Sequence, residues 1–506
     1  MAEQLDQDFL DHVSTIDNDR LGRYATFGDY YDGEHKTQVT DRARTYLEAS
    51  GLRFCENFCE PVIDVEAERL RVTGFQVEDK TGDQTTSETD DLKQLEEELA
   101  ARWERSGGDL LQATVHAVAL TKGDAYVIPD WDPRTESVRL WFNRPELVNP
   151  VYNDDRPDEL AYAGKVWAST ARGPLNQDGR PIVRLNVYWP DRIEKYFKLH
   201  QSEGRGGWAV WLDADPETGI LDEASWLVPW VDGAGEPLGV AVHHFRNKPL
   251  GRVFGRSELR AVVPQQDALN KQVIDLHDVL DHLAWPQRYL IAQVETVDLQ
   301  TAPGEYVKLN AENGQIGQLE PADPSGVLAA IESTLSRIAR RSRTPLHLLT
   351  GGDMPSGESL KAAESGLVAK VELAQVVFGQ EWERLMLMGT RLAAVNGDQD
   401  AAALVGQLDG LVVKALWDDP VSRNELQEGQ SLLVDKDLGA SKRTLLRKRG
   451  YDPDQEHEWR ALEAEEAQAT MARMFDRGNA DPSAEGAPAD QPGQPDQQPP
   501  ASGPGR

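Results

Sequence analysis

Residues 337–361 read RIARRSRTPLHLLTGGDMPSGESLK, and this stretch lies between two long helical segments of the chain. Pro345 disfavours helical backbone at the preceding Thr344. The pair Gly351-Gly352 permits positive φ angles, and Pro355-Ser356-Gly357 has the composition of a turn. The stretch therefore predicts a non-helical loop of about a dozen residues between two helices, a length that is uncommon in a compact domain and often functional.

Four arginines lie at the end of the helix before this loop, namely Arg337, Arg340, Arg341 and Arg343. Spacings of three and four residues place the first three along one side of that helix. Two interpretations remain open. The arginines pair with acidic neighbours, which are abundant in a chain with 86 Asp and Glu residues, or they contact the phosphate backbone of a nucleic acid.

The loop is surrounded by segments with clear periodicity. In chain order they are a helix with a long apolar stripe from Ser257 to Leu283, short strands and turns over 286–322, a helix from Gly326 to Arg341, and a long helix from Ser359 to Val395. Ser257 is a cap for the first of these helices. Asp323-Pro324 is a start signal for the second, because proline suits the first helical position.

The N-terminal half combines helices with a β-rich region. Helices are predicted over the first 30 residues and from Phe54 to Leu70. Between Ala125 and Val242, short runs rich in Val, Tyr, Trp and Phe alternate with turn residues, which is typical of antiparallel strands. Nine of the 13 tryptophans lie from Trp103 to Trp230, and we expect them to pack in the core of this region. The chain is therefore predicted to be α+β.

Composition limits the function classes. With 506 residues the chain is long enough for roughly three or four domains. Its formal net charge of −33 argues against a protein that simply coats DNA, since such proteins carry a basic face. Two cysteines are too few for a disulfide framework. No signal-peptide pattern and no membrane-spanning apolar run is recognised, so we expect a protein that is cytoplasmic or assembled there.

The motifs with known chemistry are incomplete. Gly352 and Gly357 have the spacing of a phosphate-binding loop, but Glu358 stands where that loop needs lysine. Cys55 and Cys59 lack the further ligands of a zinc site. The adjacent pair His243-His244 points to opposite faces of a strand. We therefore predict no cofactor, no metal and no catalytic residue.

Several strings, in this order, resemble the portal proteins of tailed bacteriophages, and most closely those of long-tailed phages of actinobacteria. They cover about residues 20–475 and are YYDGEH, CENFCEPVIDVEAERLRVTGF, GDAYVIPDWD, HHFRNKPLGRVFGRSELRAVVPQQDALNKQVIDLHDVLDHLAWPQRYL, TPLHLLTGGDMPSGESLKAAESGLVAKVELAQVVFGQEW and WDDPVSRNELQEGQSLLVDKDLGASKRTLLRKRGYDPDQ. The order of the strings is more specific than any one of them.

The resemblance implies the portal fold, in which a mixed α/β wing, a helical stem, a small α/β clip and a helical crown assemble as a ring. The implied divisions are the wing over 1–256, a stem helix over 257–285, the clip over 286–322, a second stem helix over 323–343, the tunnel loop over 344–357, a long helix and return to the wing over 358–419, and the crown over 420–476. Residues 477–506 are too poor in apolar side chains to order themselves.

The resemblance also implies a function. A ring, usually of twelve copies, forms the vertex channel through which double-stranded DNA is packaged and ejected, and it belongs to the virion. Implied partners are the terminase large subunit, the major capsid and scaffold proteins and a head-completion adaptor, with no membrane and no enzymatic activity. The tunnel-loop residues that would line the channel are Thr344, His347, Thr350, Gly351, Gly352, Asp353, Met354, Ser356 and Gly357. Arg337, Arg340, Arg341 and Arg343 would face DNA from the stem.

Two other function classes remain open from the residues alone. Asp275, Asp278 and Asp281 recur every third residue on one helix, so a magnesium-dependent nuclease or hydrolase built on these carboxylates is one alternative. The tryptophan-rich β region suggests a monomeric binding scaffold as the other. DNA cleavage in magnesium would favour the nuclease, and a stable monomer would favour the scaffold.

Overall fold

The computed structural model describes residues 5–36, 56–79, 90–170, 175–176, 178–199, 207–214, 220–284, 288–291, 315–318, 320, 323–351, 357–405, 411–421 and 436. The chain divides into two units, Met1–Val421 and Ser422–Arg506. The predicted crown over 420–476 and the tail over 477–506 fall almost wholly outside the described residues.

The N-terminal segment is helical, as predicted, but it is divided in two. Helix α1 covers Gln7–Ser14 and helix α2 covers Asn18–Tyr31. Each begins after an aspartate whose carboxylate accepts a backbone hydrogen bond: Asp6 from Phe9, and Asp17 from Asp19. Two capped starts so close together explain the break, since each cap satisfies free N–H groups at its own helix end.

Three further helices and two long-range strands belong to this half of the fold. They are α3 (Cys59–Ala67), β1 (Val72–Asp79), α4 (Asp90–Arg105), α5 (Gly108–Lys122) and β13 (Leu411–Trp417). Strand β1 pairs antiparallel with β13, which lies more than 330 residues later in the chain. The chain thus returns to its N-terminal part after the long helix.

The β-rich region forms two antiparallel sheets. A three-stranded sheet has the order β10-β2-β3, and a six-stranded sheet has the path β4-β5-β6-β7-β8, with β9 paired to β7. The strands are β2 (Asp124–Asp132), β3 (Ser137–Asn143), β4 (Val148–Tyr152), β5 (Leu160–Ser169), β6 (Ile182–Tyr188), β7 (Arg192–Leu199), β8 (Ala209–Val210), β9 (Leu227–Pro229) and β10 (His243–Arg246). A 3-10 turn, Pro145–Leu147, precedes β4.

The C-terminal half of the first unit is mainly helical. A 3-10 turn over Glu258–Ala261 leads into α6 (Val263–Ala284). Then come β11 (Arg288–Ile291), β12 (Gln315–Gln318), α7 (Ser325–Ser342), α8 (Leu346–Thr350), α9 (Gly357–Val395) and α10 (Gln399–Val405). Helices α6 and α7 contact each other, and β11 and β12 form an antiparallel pair between them. In the described part of the chain no helix is long and apolar enough to span a membrane.

Helix α9 contributes several large side chains to the centre of the hydrophobic core. Phe378, Trp382 and Leu385 on it are fully buried. The Trp382 indole N–H donates to His116 Nε2 at 2.9 Å, and His116 Nδ1 lies 2.9 Å from the Leu70 carbonyl oxygen. Burial lowers the pKa of His116 to about 4, so this histidine is neutral and joins α5 to α9 as a core residue.

The predicted tryptophan packing is confirmed for several residues of the β-rich region. Trp208, Trp211 and Trp230 are buried, although Trp141 is half exposed. The helical periodicity of the sequence from Ser359 to Val395 predicts Leu367, Val371 and Leu373 among the inside residues of the long helix. Leu367 and Val371 are buried, but the prediction is wrong at Leu373, which is 47% exposed.

Candidate functional site

The segment between α7 and α9 begins with a left-handed residue. Helix α7 begins at Ser325, and the Ser325 N–H donates a hydrogen bond to the Asp323 carboxylate at 3.0 Å. The helix ends at Ser342, and Arg343 has φ 58°, with its N–H bonded to the Ala339 carbonyl. Such a left-handed residue is a common way to stop a helix, although glycine usually fills it.

The prediction of an entirely non-helical loop is wrong for five residues. Leu346–Thr350 form α8, which starts directly after Pro345. The fixed φ of proline suits the position before or at the first helical turn, so Pro345 follows the end of α7 at Arg343 and starts α8. Gly351 has φ 63°, as expected at a glycine predicted to permit positive φ. The predicted tunnel-loop residues Gly352, Asp353, Met354 and Ser356 lie outside the described residues.

The other tunnel-loop residues differ in exposure. Thr344 is 1% exposed, so its side chain has no open face within one subunit. The His347 ring is largely covered, and its Nε2 lies 3.7 Å from Glu364 Oε1. Thr350 is exposed, and its hydroxyl donates back to the Leu346 carbonyl. Gly357 is the first residue of α9. As a channel lining, the set remains a prediction.

The four arginines are exposed at the end of α7. Arg337 Nη2 donates to Ser333 Oγ at 3.3 Å, and Arg340 Nε donates to the Ser336 carbonyl at 3.2 Å. Among the described residues no carboxylate pairs with Arg337, Arg340, Arg341 or Arg343. The first interpretation, pairing with acidic neighbours, therefore finds no support in this part of the chain.

A buried charge cluster holds the start of this segment in place. Lys370 of α9 is 2% exposed, and its ammonium group lies 2.6 Å from Glu66 Oε2 and 3.0 Å from Glu258 Oε2. The same group donates to the Ser342 carbonyl at 3.1 Å. Lys370 thereby joins α3, the turn before α6, the end of α7 and α9. Buried charges are tolerated only when paired and hydrogen-bonded in this way.

Neighbouring groups extend this cluster. Lys248 forms an ion pair with Glu258, and Asn247 donates to Glu258 Oε1 at 2.8 Å. On the other side, Glu364 lies 3.9 Å from Arg69. The backbone end of α7 is therefore fixed to a buried network of ion pairs and hydrogen bonds.

The two carboxylates of the cluster have pKa values that shift in opposite directions. Burial raises the pKa of Glu66 to about 7, although Lys370 lowers it. Burial would also raise the pKa of Glu258, but Lys370 and Lys248 lower it to about 2. Burial lowers the pKa of Lys370, but the two glutamates raise it above its usual value. Glu66 is thus the weaker acid of the pair.

The variant Glu66→Gln tests this assignment by its pH dependence. Because the folded-state pKa of Glu66 lies above its usual value of 4.5, its stabilising contribution is complete below about pH 4.5 and is lost as pH rises through about 7. The free energy of unfolding of Glu66→Gln, relative to wild type, is therefore expected to increase between pH 5 and pH 8 by about 1 kcal/mol or more. Urea denaturation at each pH measures it, and a pH-independent difference would contradict the shift.

The sequence contains one indication of this buried charge cluster, namely charged residues at positions of helices that are otherwise apolar. Lys370 lies beside Leu367 and Val371, two positions predicted to face inward, and Glu66 lies on the same helix face as Val62 and Ile63. A charged residue inside an apolar stripe indicates a buried ion pair. The partners could not be identified, because residues 66, 258 and 370 are far apart in the chain.

Two of the motif strings meet in space. In GDAYVIPDWD, the Asp124 carboxylate accepts from the Gly255 N–H at 2.7 Å and from the Tyr24 hydroxyl at 2.7 Å, and it lies 2.8 Å from His244 Nε2. Gly255 belongs to the string HHFRNKPLGRVFGRSELR. His243, by contrast, lies 3.8 Å from Glu381. The two histidines face different partners, which confirms the prediction of opposite faces.

A metal-dependent site finds no support in the described residues. No group of three His, Cys, Asp or Glu side chains in them is placed to hold a metal ion. Asp275 instead forms an ion pair with Lys271 at 2.6 Å on the exposed side of α6. Cys59 is buried, and Cys55 lies outside the described residues.

Comparison with known proteins gives one consistent result. The model of the family described as "Phage portal protein, SPP1 Gp6-like" matches residues 10–470. The portal protein of Mycobacterium phage L5 is 22% identical over 487 residues, which cover 91% of this chain and 89% of that protein. The portal protein of Mycobacterium phage D29 is 24% identical over 452 residues, covering 84% and 82%. The resemblance predicted from the motif strings is therefore confirmed, and this chain belongs to the SPP1 Gp6-like family of phage portal proteins.

Proposed function

We propose that copies of this chain close into a ring at one vertex of a phage capsid, and that double-stranded DNA passes through its central channel during packaging and ejection. The observation that carries the proposal is the family match over residues 10–470, which spans both the β-rich region and the helices around the 337–361 stretch. The same match favours a structural component of the virion over an enzyme.

Exposed apolar side chains support assembly with other copies. They cluster where α6 gives way to β11 and where β12 gives way to α7: Leu280, Leu283, Tyr289, Ile291 and Leu328, each 39–60% exposed. A group of large apolar side chains at one end of a helix pair is costly in water and typically marks a contact surface. In a ring, the neighbouring subunits would cover this end.

We assign the parts of the portal fold to the chain as the motif strings suggest. The wing covers 1–256, the stem helices cover 257–285 and 323–343, the clip covers 286–322 and the tunnel loop covers 344–357. The placement of α7, α8 and α9 supports the tunnel-loop assignment, because Lys370 fixes the end of α7, directly before residues 344–357, to a buried base.

Charge supports a channel wall that slides along DNA without holding it. Each phosphate neutralised by a cation strengthens binding, so a wall rich in lysine would slow the passage of DNA. Between Arg343 and Lys361 the sequence has His347 as its sole candidate cation and Asp353 as an acidic residue at the predicted tip. Arg337, Arg340, Arg341 and Arg343 would make weak contacts that the ring repeats once per subunit.

The proposed partners are those expected at this position in the virion. We expect the terminase large subunit to dock at the clip, the major capsid and scaffold proteins to surround the wing, and the head-completion adaptor to bind after packaging. The ring would assemble in the host cytoplasm, with twelve copies the usual number in portal proteins.

The other two function classes are not favoured. The family match does not favour a nuclease, and Asp275, one of the three carboxylates of that alternative, is engaged by Lys271. The buried Trp208, Trp211 and Trp230 are core residues of their sheet region, which removes the support for a tryptophan-lined binding cage.

Negative-stain electron microscopy of the purified protein tests the proposal. We expect closed rings with a central hole, because the exposed apolar end of the α6–α7 pair is satisfied only in contact with another copy. Mass photometry on the same sample would show a single high-mass species. Monomers at all protein and salt concentrations would contradict the proposed function.

A further inference from the structure

A pocket lined by cations opens beside the loop that leads into α6, and none of the proposed tunnel-loop residues or the four stem arginines lines it. Its volume is about 400 Å³. Five basic side chains line it: Arg23, Lys122, Arg252, Arg256 and Arg260. We call it the basic pocket. Such a concentration of positive charge is unexpected in a chain with a net charge of −33.

The arginines of the basic pocket are not neutralised within the described subunit. Lys122 forms an ion pair with Glu146, but no carboxylate among the described residues pairs with Arg23, Arg252, Arg256 or Arg260. The acidic side chain that lines the pocket, Asp124, is 2% exposed and is already engaged by Tyr24, His244 and the Gly255 N–H. The pocket is therefore electrostatically complementary to an anion from outside the subunit.

The wall of the basic pocket is rigid. A Cβ at Gly255 would lie 2.0 Å from the Gly123 carbonyl oxygen, so the two backbones are in direct contact there. Asn247 anchors the loop over residues 247–256. Its backbone N–H donates a hydrogen bond to the Gly123 carbonyl, and its side-chain amide donates one to the Arg256 carbonyl, each at 2.8 Å. A site whose backbone is held in place before binding loses little backbone entropy on binding.

The loop also carries features typical of a contact surface for protein. Leu250 is 70% exposed and Val253 is 44% exposed. Lys248 and Leu250 have φ angles of 48° and 43°, and such strain in non-glycine residues is often found at functional sites. Apolar side chains mixed with arginine are characteristic of protein interfaces, whereas nucleic-acid interfaces are more polar.

We propose that the basic pocket binds an acidic segment of the neighbouring copy of this chain. The inference rests on the proposed ring and names one of its subunit contacts. Neighbours in a closed ring meet through two different surfaces, and a chain with 86 acidic and 53 basic residues offers carboxylates on many faces but few pockets to receive them. The pocket would fix the register between subunits, with Leu250 and Val253 covered at its rim.

The test is a double charge reversal, Arg252→Glu with Arg260→Glu. Both side chains are exposed, so the fold is expected to survive, which circular dichroism would confirm. The variant is expected to remain monomeric at a concentration at which wild type forms rings, with at least a tenfold weaker association by mass photometry. The matched control is Arg134→Glu with Arg156→Glu, which makes the same change in net charge at two exposed arginines paired locally with Asp132 and Glu159; it is expected to form rings.

Each outcome decides the inference. Rings from the Arg252→Glu, Arg260→Glu variant would overturn it and leave the proposed function standing, whereas a wild type that forms no rings would overturn both. A variant that assembles normally but binds duplex DNA more weakly than wild type would show that the pocket serves nucleic acid instead. If the double reversal unfolds the protein, Arg252→Gln with Arg260→Gln replaces it, with the same expected loss of association.

Discussion

Replacing Lys370 by methionine is expected to lower the free energy of unfolding of the Met1–Val421 unit by roughly 3–5 kcal/mol. Methionine has a similar length but no charge, so Glu258 would lose one of its two ammonium partners, and Glu66 would lose the cation that lowers its pKa and would be driven to take up a proton. The Ser342 carbonyl would also lose its hydrogen bond. A carboxylate left unpaired in the interior costs far more than the loss of a surface ion pair. Urea denaturation followed by circular dichroism measures the change.

The control for this variant lies on the same helix. Lys361→Met changes an exposed lysine of α9 and is expected to alter the free energy of unfolding by less than about 0.5 kcal/mol. Adding Glu66→Gln to Lys370→Met removes the ionisable carboxyl that has lost its only cation, and we expect it to recover part of the lost stability. A Lys370→Met protein as stable as the control would show that the cluster does not support the channel segment.

The variant Asp353→Lys is expected to reduce the yield of DNA-filled phage heads by at least about tenfold. The change replaces a carboxylate by a cation at the predicted loop tip of every subunit. The ring would then bind the DNA phosphates through one new contact per subunit, which slows the movement of DNA through the channel. Contacts repeated around a ring act together, and their combined affinity greatly exceeds that of one contact. The measurement is the amount of nuclease-protected genome per head when the variant complements a phage lacking its own portal gene.

A neutral substitution separates charge from shape at this position. Asp353→Asn removes the carboxylate without adding a cation, so packaging is expected to remain within about twofold of wild type. Both variants should assemble into rings, since the buried base of the segment at Lys370 is untouched. Normal packaging by Asp353→Lys would contradict the proposal that this residue faces DNA.

Much of the fold could be predicted from local signals in the sequence. Ser257 caps the turn before α6 as expected, whereas the N-cap of α7 is Pro324 rather than Asp323, although the Asp323 carboxylate accepts from the Ser325 N–H. The helices α7 and α9 lie within a few residues of their predicted bounds. Strands such as β2 and β6 were evident from their β-branched and aromatic runs. These features depend on interactions between residues close in sequence, which is why periodicity and capping were sufficient.

The remaining features depend on partners far apart in the chain. The pairing of β1 with β13 joins residues more than 330 positions apart, and no local pattern encodes it. The Lys370 cluster and the basic pocket each draw on three or more segments, so their residues were not recognised as a set. Helix α8 depends on the second effect of Pro345, because proline disfavours helical backbone at the preceding residue and also favours the start of a new helix.

A cryo-electron microscopy map of the assembled ring tests the central claim most directly. We expect subunits closed around an opening whose narrowest part is lined by residues 344–357, with Asp353 nearest the axis and Lys370 buried behind it. A map that places residues 344–357 on the outer surface, or that shows an assembly without a closed ring, would contradict the proposed channel.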